Sequence, residues 1–382
     1  MTSAALATPV PANSARITPT GVCVPLPDGR EAYFNAYWLR DNCPTSFDRQ
    51  TRERVFDIFH ASAAPRAASA HVHDGALEVV WAGENHTSRY PLDWLASYAA
   101  PKPRHDPADL PRHAWYADHF ADLGRFAFAD LMNDPARVAA WLRALIVEGM
   151  AIVTDMPDND DALVQLVAKM GHVRPTFFGQ YFDVLTHAVP TNLAYTAKAL
   201  ELHTDTPAED LAPGIQFLHC RANTTTGGES LFLDGVAVAN DFRVSNPEQF
   251  RLLSETAIPF YCEHDDYDMR SRQTVIELDA HGEVAGLTIS QHMADVFDLP
   301  QQFLDAYYPA FCAFGRLLQD PKYVMRFRMN AGECLVFDNH RVVHGRAAYD
   351  AASGARHLHG CYADRGEMRS RYRALVSESR FK

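Results

Sequence analysis

The sequence predicts a mainly β chain with flanking helices, in which an antiparallel barrel or jelly roll follows a small β-rich module. Three observations predict it. From about residue 173 onward, short strand-like runs alternate with long loops, as in barrels and jelly rolls with helices packed outside. A clear amphipathic helix precedes that region: over 134–148, Val138, Trp141, Leu142, Leu145 and Ile146 fall at i, i+3, i+4, i+7 and i+8. A separate group of short strands, bounded by Pro, Gly and Asp, lies over 21–98.

The chain in order gives four parts. Residues 1–20 read as a disordered leader of small residues and Pro, with no basic n-region before an apolar run. Residues 21–98 form the N-terminal domain, with strands expected at 22–25, 31–34, 54–58 and 77–81 and a short closing helix at 91–98. Residues 99–125, rich in Pro, His and Asp, read as a linker. Residues 126–382 form the second domain. Its first helix ends at Gly149, a residue suited to the left-handed C-terminal position. A strand at 150–154 and a helix at 160–170 follow. Strands are then expected at 215–220, 230–233, 274–277, 323–329, 333–337 and 357–362, with one strong helix over 300–318.

Composition narrows the function classes. At 382 residues, 47% hydrophobic and 22% charged, the chain is an ordinary globular protein with room for a sizeable core. A net charge of −13 without any Lys/Arg-rich block argues against nucleic acid or an anionic membrane as partner. No apolar run approaches ~18 residues, so no membrane-spanning helix is expected. The seven cysteines are scattered without paired spacing, which reads as reduced thiols in a cytoplasmic protein.

Chemistry centres on His203-Thr204-Asp205. Residues i and i+2 of an extended segment share a face, so His203 and Asp205 can reach one metal ion. Two His and one carboxylate on one face of an octahedron is the non-haem Fe(II) oxygenase arrangement, with open positions for co-substrate and dioxygen. The bare pattern is weak, since His264-Asp265-Asp266 repeats it. The best third ligand is His344, after the apolar run 334–337, where Gly345 allows close backbone approach. His340 is the runner-up, placed where the Asp338-Asn339 turn aims it at solvent. A bidentate 2-oxo acid needs a guanidinium for its distal carboxylate. Arg356, twelve residues after His344, is one hairpin away, and Thr226 before Gly227-Gly228 can add a hydroxyl.

HTD at 203–205, TTTGGES, NHRVVHGR and ARHLHGCYAD together resemble the Fe(II)/2-oxoglutarate dioxygenases of the taurine dioxygenase superfamily. AYWLRDNC, NLAYT, HTDTPA, GIQFLHC and CYADRGEMRSR are similar to its γ-butyrobetaine and trimethyllysine hydroxylase branch, over roughly residues 20 to 378. The resemblance implies a double-stranded β-helix (jelly-roll) domain. It also implies Fe(II) on His203, Asp205 and His344, 2-oxoglutarate on Arg356 and Thr226, O2 as second co-substrate, and a homodimer. The reaction implied is hydroxylation of an unactivated C–H in a small substrate. Asp205, rather than Gly or Ala, favours hydroxylation over halogenation. His264-Asp266 has no counterpart role.

Hydroxylases of this branch hold a trimethylammonium group by cation–π attraction to ring faces. By resemblance the rings are Phe178, Phe182, Tyr195 and Tyr362, with Phe at 178 and 182 where the butyrobetaine enzymes carry Tyr and Trp. Asn192 matches an amide used at the substrate carboxylate. Thr206 stands where a Tyr is usual, and Ser290, Gln291 or His292 replaces paired Asn, so the acid anchor is rebuilt and a different acid group is open. An ammonium phosphonate or a secondary-metabolite acid is the alternative substrate, and a non-catalytic jelly-roll binding protein the other. The N-terminal structural zinc of relatives retains only Cys43 and His86, with Asp48 nearby. A closed structural zinc site takes four protein ligands, so none is expected here.

Overall fold

The computed structural model describes residues 14–60, 64–100, 105–186, 193–264 and 266–377. The chain divides into two compact units, residues 1–105 and 106–382.

The N-terminal unit holds two three-stranded antiparallel sheets, Arg16–Thr18/Gly21–Pro25/Glu31–Asn35 and Ala67–His73/Ala76–Trp81/Thr87–Pro91. Their apolar faces bury Val22, Val24, Leu39, Leu77, Val79, Trp81 and Tyr90. Part of the presumed leader is therefore ordered, since residues 16–18 pair with 21–23. The strand expected at 54–58 does not form: Arg54 makes a single bridge to Phe47, and Ile58–His60 is a 3-10 turn. Cys43 Sγ lies 3.4 Å from His86 Nε2. Asp48 is committed elsewhere, accepting backbone hydrogen bonds from Gln50 and Thr51.

In the second unit two antiparallel-dominated sheets face each other as a jelly roll. The larger runs Arg125–Ala127, Met150–Thr154, Cys334–Asp338, Ile215–Asn223, Arg356–Ala363, Tyr181–Val184. The smaller runs Leu200–His203, Val342–Arg346, Ser230–Asp234, Met325–Phe327. The period of two along each strand sorts its side chains between two cores. Ile152, Leu218, Leu335 and Leu358 point between the sheets, where Phe232, Phe337 and Val342 join them. Their neighbours Ala151, Val153, Phe217 and Val336 point outward, under the helices Pro135–Glu148, Asp160–Ala168 and Arg365–Val376. On the outer face of the smaller sheet, Leu233 and Val343 pack against Gly235–Ser245, Pro247–Glu255 and Gln301–Leu318.

Local chemistry explains the boundaries. Asp134 accepts a hydrogen bond from Ala136 N to cap the helix Pro135–Glu148, and Gly149 ends it at φ +77°. Residues 106–125, read as linker, pack into this unit, and Trp115 is buried there. The strand expected at 274–277 is split: Tyr267–Thr274 closes a hairpin with Ala257–His264, and Ile276–Leu278 starts another. No helix among the described residues is long and apolar enough to cross a membrane. All seven cysteines are unpaired thiols.

Candidate active site

Strand pairing assembles the centre. Leu200–His203 pairs with Val342–Arg346 so that His203 stands opposite His344. Gly345 makes this pairing close, because a Cβ there would sit 2.7 Å from Leu200 O. Asp205 follows the strand end and returns to the same point. Its Oδ1 is 3.1 Å from His203 Nε2 and 3.6 Å from His344 Nε2. The three ligand atoms all lie within 4.8 Å of one another. Bonds of 2.0–2.2 Å at right angles put neighbouring donors roughly 3 Å apart, so the trio is spaced for one cation.

The protonation states suit a metal. His203 Nδ1 lies 2.7 Å from Glu201 O. A carbonyl only accepts, so Nδ1 carries a proton and Nε2 is the nitrogen turned to Asp205. Burial pushes the His344 imidazole down to about 3, helped by His203, so it is neutral at ordinary pH. Burial alone would raise the Asp205 carboxyl, but His344, His203 and a hydrogen bond from Tyr362 hold it below the usual carboxylate range. Tyr362 Oη donates to Asp205 Oδ2 at 2.8 Å. Asn339 fixes the backbone beneath, accepting from Asp205 N and donating to Asp205 O.

The triad opens on a cavity lined by Phe177, Phe178, Phe182, Tyr195, Phe232 and Tyr362 on its apolar side. Rings run in sequence through it, with centroids 3.9 Å apart for Phe177 and Phe178, 5.7 Å for Phe178 and Phe182, and 5.2 Å for Phe182 and Tyr362. Arg356 enters the same cavity, buried, with Nε and one Nη lacking a hydrogen-bond partner among the described residues. Burial, then the neighbouring Arg346, lowers its guanidinium to about 10, which leaves it cationic. A buried cation with unmade hydrogen bonds is costly alone and fits an anionic ligand. The donor set and the open guanidinium together fit a divalent iron and a 2-oxo acid.

Not every expected residue arrives. Thr226 is exposed and does not line the cavity; its backbone N–H bonds Ser353 Oγ in the short pairing with 349–350. The neighbouring Thr225, at the bend before the short strand Thr226–Gly227, is buried with a hydroxyl that has no partner among the described residues. Gln291 also misses, lying exposed in an adjoining groove with Phe311 and Cys312. His292 from the same turn lines the cavity and meets His203 edge-on at 5.1 Å. Thr206 lines it too, buried at φ +51° with its hydroxyl unpartnered. Asn192 lies outside the described residues. His340 is not aimed at solvent: its Nε2 lies 3.1 Å from Ala212 O. His264 stacks on Phe177 at 5.1 Å.

Gln216 and Arg346, like Phe177, are cavity residues that the sequence reading did not single out. Gln216 is buried with its Oε1 unpartnered, directly opposite Tyr362 in strand register. Arg346 follows His344 by two and so shares its strand face, a signal alternation could have supplied. It donates to the carbonyls of Ala194, Thr196 and Lys198 at 3.1, 2.6 and 2.8 Å. The segment presenting Tyr195 is thereby tied to the strand that presents His344.

The chain is similar to known proteins. The "Taurine catabolism dioxygenase TauD, TfdA family" matches residues 108–362, and "Gamma-butyrobetaine hydroxylase-like, N-terminal" matches residues 18–96. The gamma-butyrobetaine dioxygenase of Pseudomonas sp. (strain AK-1) is 36% identical over 96% of this chain and 96% of its own. Its Homo sapiens namesake is 31% identical over 91% of this chain and 92% of its own. The solved structure of AAD-2 in complex with Mn(II) and N-oxalylglycine superposes with a TM-score of 0.51 at 14% identity, covering 64% of this chain and 95% of that one. The chain is thus a dioxygenase that belongs to the TauD, TfdA family of 2-oxoglutarate-dependent oxygenases, with a γ-butyrobetaine hydroxylase-like N-terminal unit.

Proposed function

We propose that the enzyme hydroxylates an unactivated C–H of a small quaternary-ammonium acid, with γ-butyrobetaine as first candidate. The observation that carries this reading is the line of rings from Phe177 to Tyr362 beside the His203–Asp205–His344 trio. A quaternary ammonium has no N–H to donate, so it is held by ring faces at ~0.5–2 kcal/mol per contact.

In this reading His203, Asp205 and His344 hold Fe(II), and Arg356 holds the distal carboxylate of 2-oxoglutarate. Bound iron and 2-oxoglutarate supply the oxidising power, consuming O2 and releasing succinate and carbon dioxide. The chain's own groups do the positioning. Tyr362 and Asn339 orient Asp205, the Glu201 carbonyl keeps the proton on His203 Nδ1, and Arg346 fixes the 194–198 segment. Phe178, Phe182, Tyr195 and Tyr362 place the ammonium. Thr206, Gln216 and His292 face the remaining cavity as candidates for the acid end.

The test compares γ-butyrobetaine, 4-aminobutyrate and the phosphonate analogue of γ-butyrobetaine, following succinate and hydroxylated product by mass spectrometry. Coupled turnover of γ-butyrobetaine well above 4-aminobutyrate is expected. Equal turnover of the two would remove the ring-face argument. Preference for the phosphonate would favour the alternative acid, which the unpartnered Thr206 and Gln216 support.

A further inference from the structure

A second group of metal-ligating side chains lies outside the cavity. His113, His119 and Glu148 bring their donor atoms within 4.8 Å of one another. We propose that these three form a second metal site, for a borderline divalent cation of the Zn(II) class, that clamps the 113–119 segment to the end of the helix Pro135–Glu148.

The backbone holds the ligands in place independently of any ion. His113 N donates to Val147 O at 2.9 Å, and Arg341 donates to the His113 carbonyl. Trp115 Nε1 donates to Glu148 O at 2.7 Å. Trp115 N is 3.3 Å from Asp234 Oδ2, and Asp234 is itself the buried partner of Arg341. Six residues after His113, the 3-10 turn Ala117–Asp122 returns His119 to the same carboxylate, its ring stacked on Trp115.

The donor spacing is that of ligands. His113 Nδ1 is 3.0 Å from both Glu148 oxygens, and His119 Nε2 is 3.2 Å from Oε2. Zinc bonds of 2.0–2.2 Å at tetrahedral angles separate donors by roughly 3.3–3.6 Å, and the shorter observed separations leave room for the donors to part around an ion. The trio at the active site shows similar spacing, 3.1 and 3.6 Å.

An ordinary ion pair accounts less well for His119. Its Nε2 is buried and lacks a hydrogen-bond partner among the described residues, although the carboxylate is 3.2 Å away. A proton there has no acceptor in line. A lone pair there faces a carboxylate oxygen, an arrangement a shared cation stabilises. Two imidazoles and a carboxylate suit zinc or its transition-metal neighbours rather than calcium or magnesium. His113 is exposed, so water can complete the coordination and the ion can exchange.

The site is tested on full-length protein stripped with a chelator and dialysed against buffered free Zn(II). Bound zinc is counted by mass spectrometry in wild type, His113→Ala and His119→Gln. The active-site trio also takes zinc, so the difference between proteins is the readout. Wild type is expected to bind one equivalent more than each variant. Equal counts, or a loss in only one of two folded variants, overturn the site. His113 is exposed, so His113→Ala decides alone if circular dichroism shows that His119→Gln does not fold.

Discussion

The Tyr362 hydroxyl donates to Asp205 Oδ2 at 2.8 Å, while Asp205 Oδ1 faces both His203 and His344. One carboxylate is thus divided, one oxygen for the candidate metal and the other for a phenol. Partners behind a ligand orient it, and their loss typically costs roughly 10- to 100-fold in metal affinity or activity. Tyr362→Phe keeps the ring and removes the hydrogen bond. Fe(II) affinity, titrated anaerobically, is expected to weaken by at least about tenfold on that scale. Unchanged affinity would mean the phenol does not support the carboxylate.

Arg356 carries unmade hydrogen bonds into the cavity. A hydrogen bond to a charged partner contributes about 1.5–3 kcal/mol, or roughly 10- to 100-fold. Arg356→Met should raise the KM for 2-oxoglutarate by at least that factor. The effect on the KM of the hydroxylated substrate should be much smaller. A reversed pattern would place the 2-oxo acid elsewhere.

Gly345 lets the two histidine-bearing strands meet. In Gly345→Ala the new methyl meets Leu200 O at 2.7 Å, and overpacking of this kind costs about 1–3 kcal/mol. The strand Leu200–His203 must move, taking His203 with it. Lower stability in urea and weaker Fe(II) binding are expected together. A stable variant with normal metal affinity would show that the strands have slack.

His219, which does not line the cavity, predicts an acid-sensitive fold. Burial, then Arg221 and His359, pushes its imidazole from 6.5 down to about 4, and neither ring nitrogen has a partner. The unfolded chain takes up the proton first. This contribution to stability is therefore full above about pH 6.5 and lost as pH falls through about 4. His219→Leu should flatten the fall of the urea midpoint between pH 7 and 4.5. Parallel slopes in the two proteins would remove His219 as a cause.

Much of the site was readable locally. The i, i+2 spacing pointed to His203 and Asp205 although Asp205 lies just past the strand end, and Gly345 marks the close approach that sets His344 opposite His203. The same alternation pointed to Arg346 but was not applied there. It does not reach Thr226, because the chain bends at Thr225 and the bend buries Thr225 while Thr226 stays exposed. The helix Gly235–Ser245 was missed because GVAVAN alternates small and branched residues like a strand. Asp234, bonded to Val236 N, starts the helix there. The helix Arg365–Val376 was missed because it buries only Met368 and Tyr372.

By itself the sequence determined the reaction class, since the spacing of metal-ligating types and the order of motifs are one-dimensional properties. The place of Phe177 at the end of the ring line, the phenol behind Asp205, and the meeting of His113 and His119 at Glu148 were decided by tertiary structure alone. Each joins residues far apart in the chain through sheet register or helix packing. Local periodicity says which way a side chain points, but not what it meets.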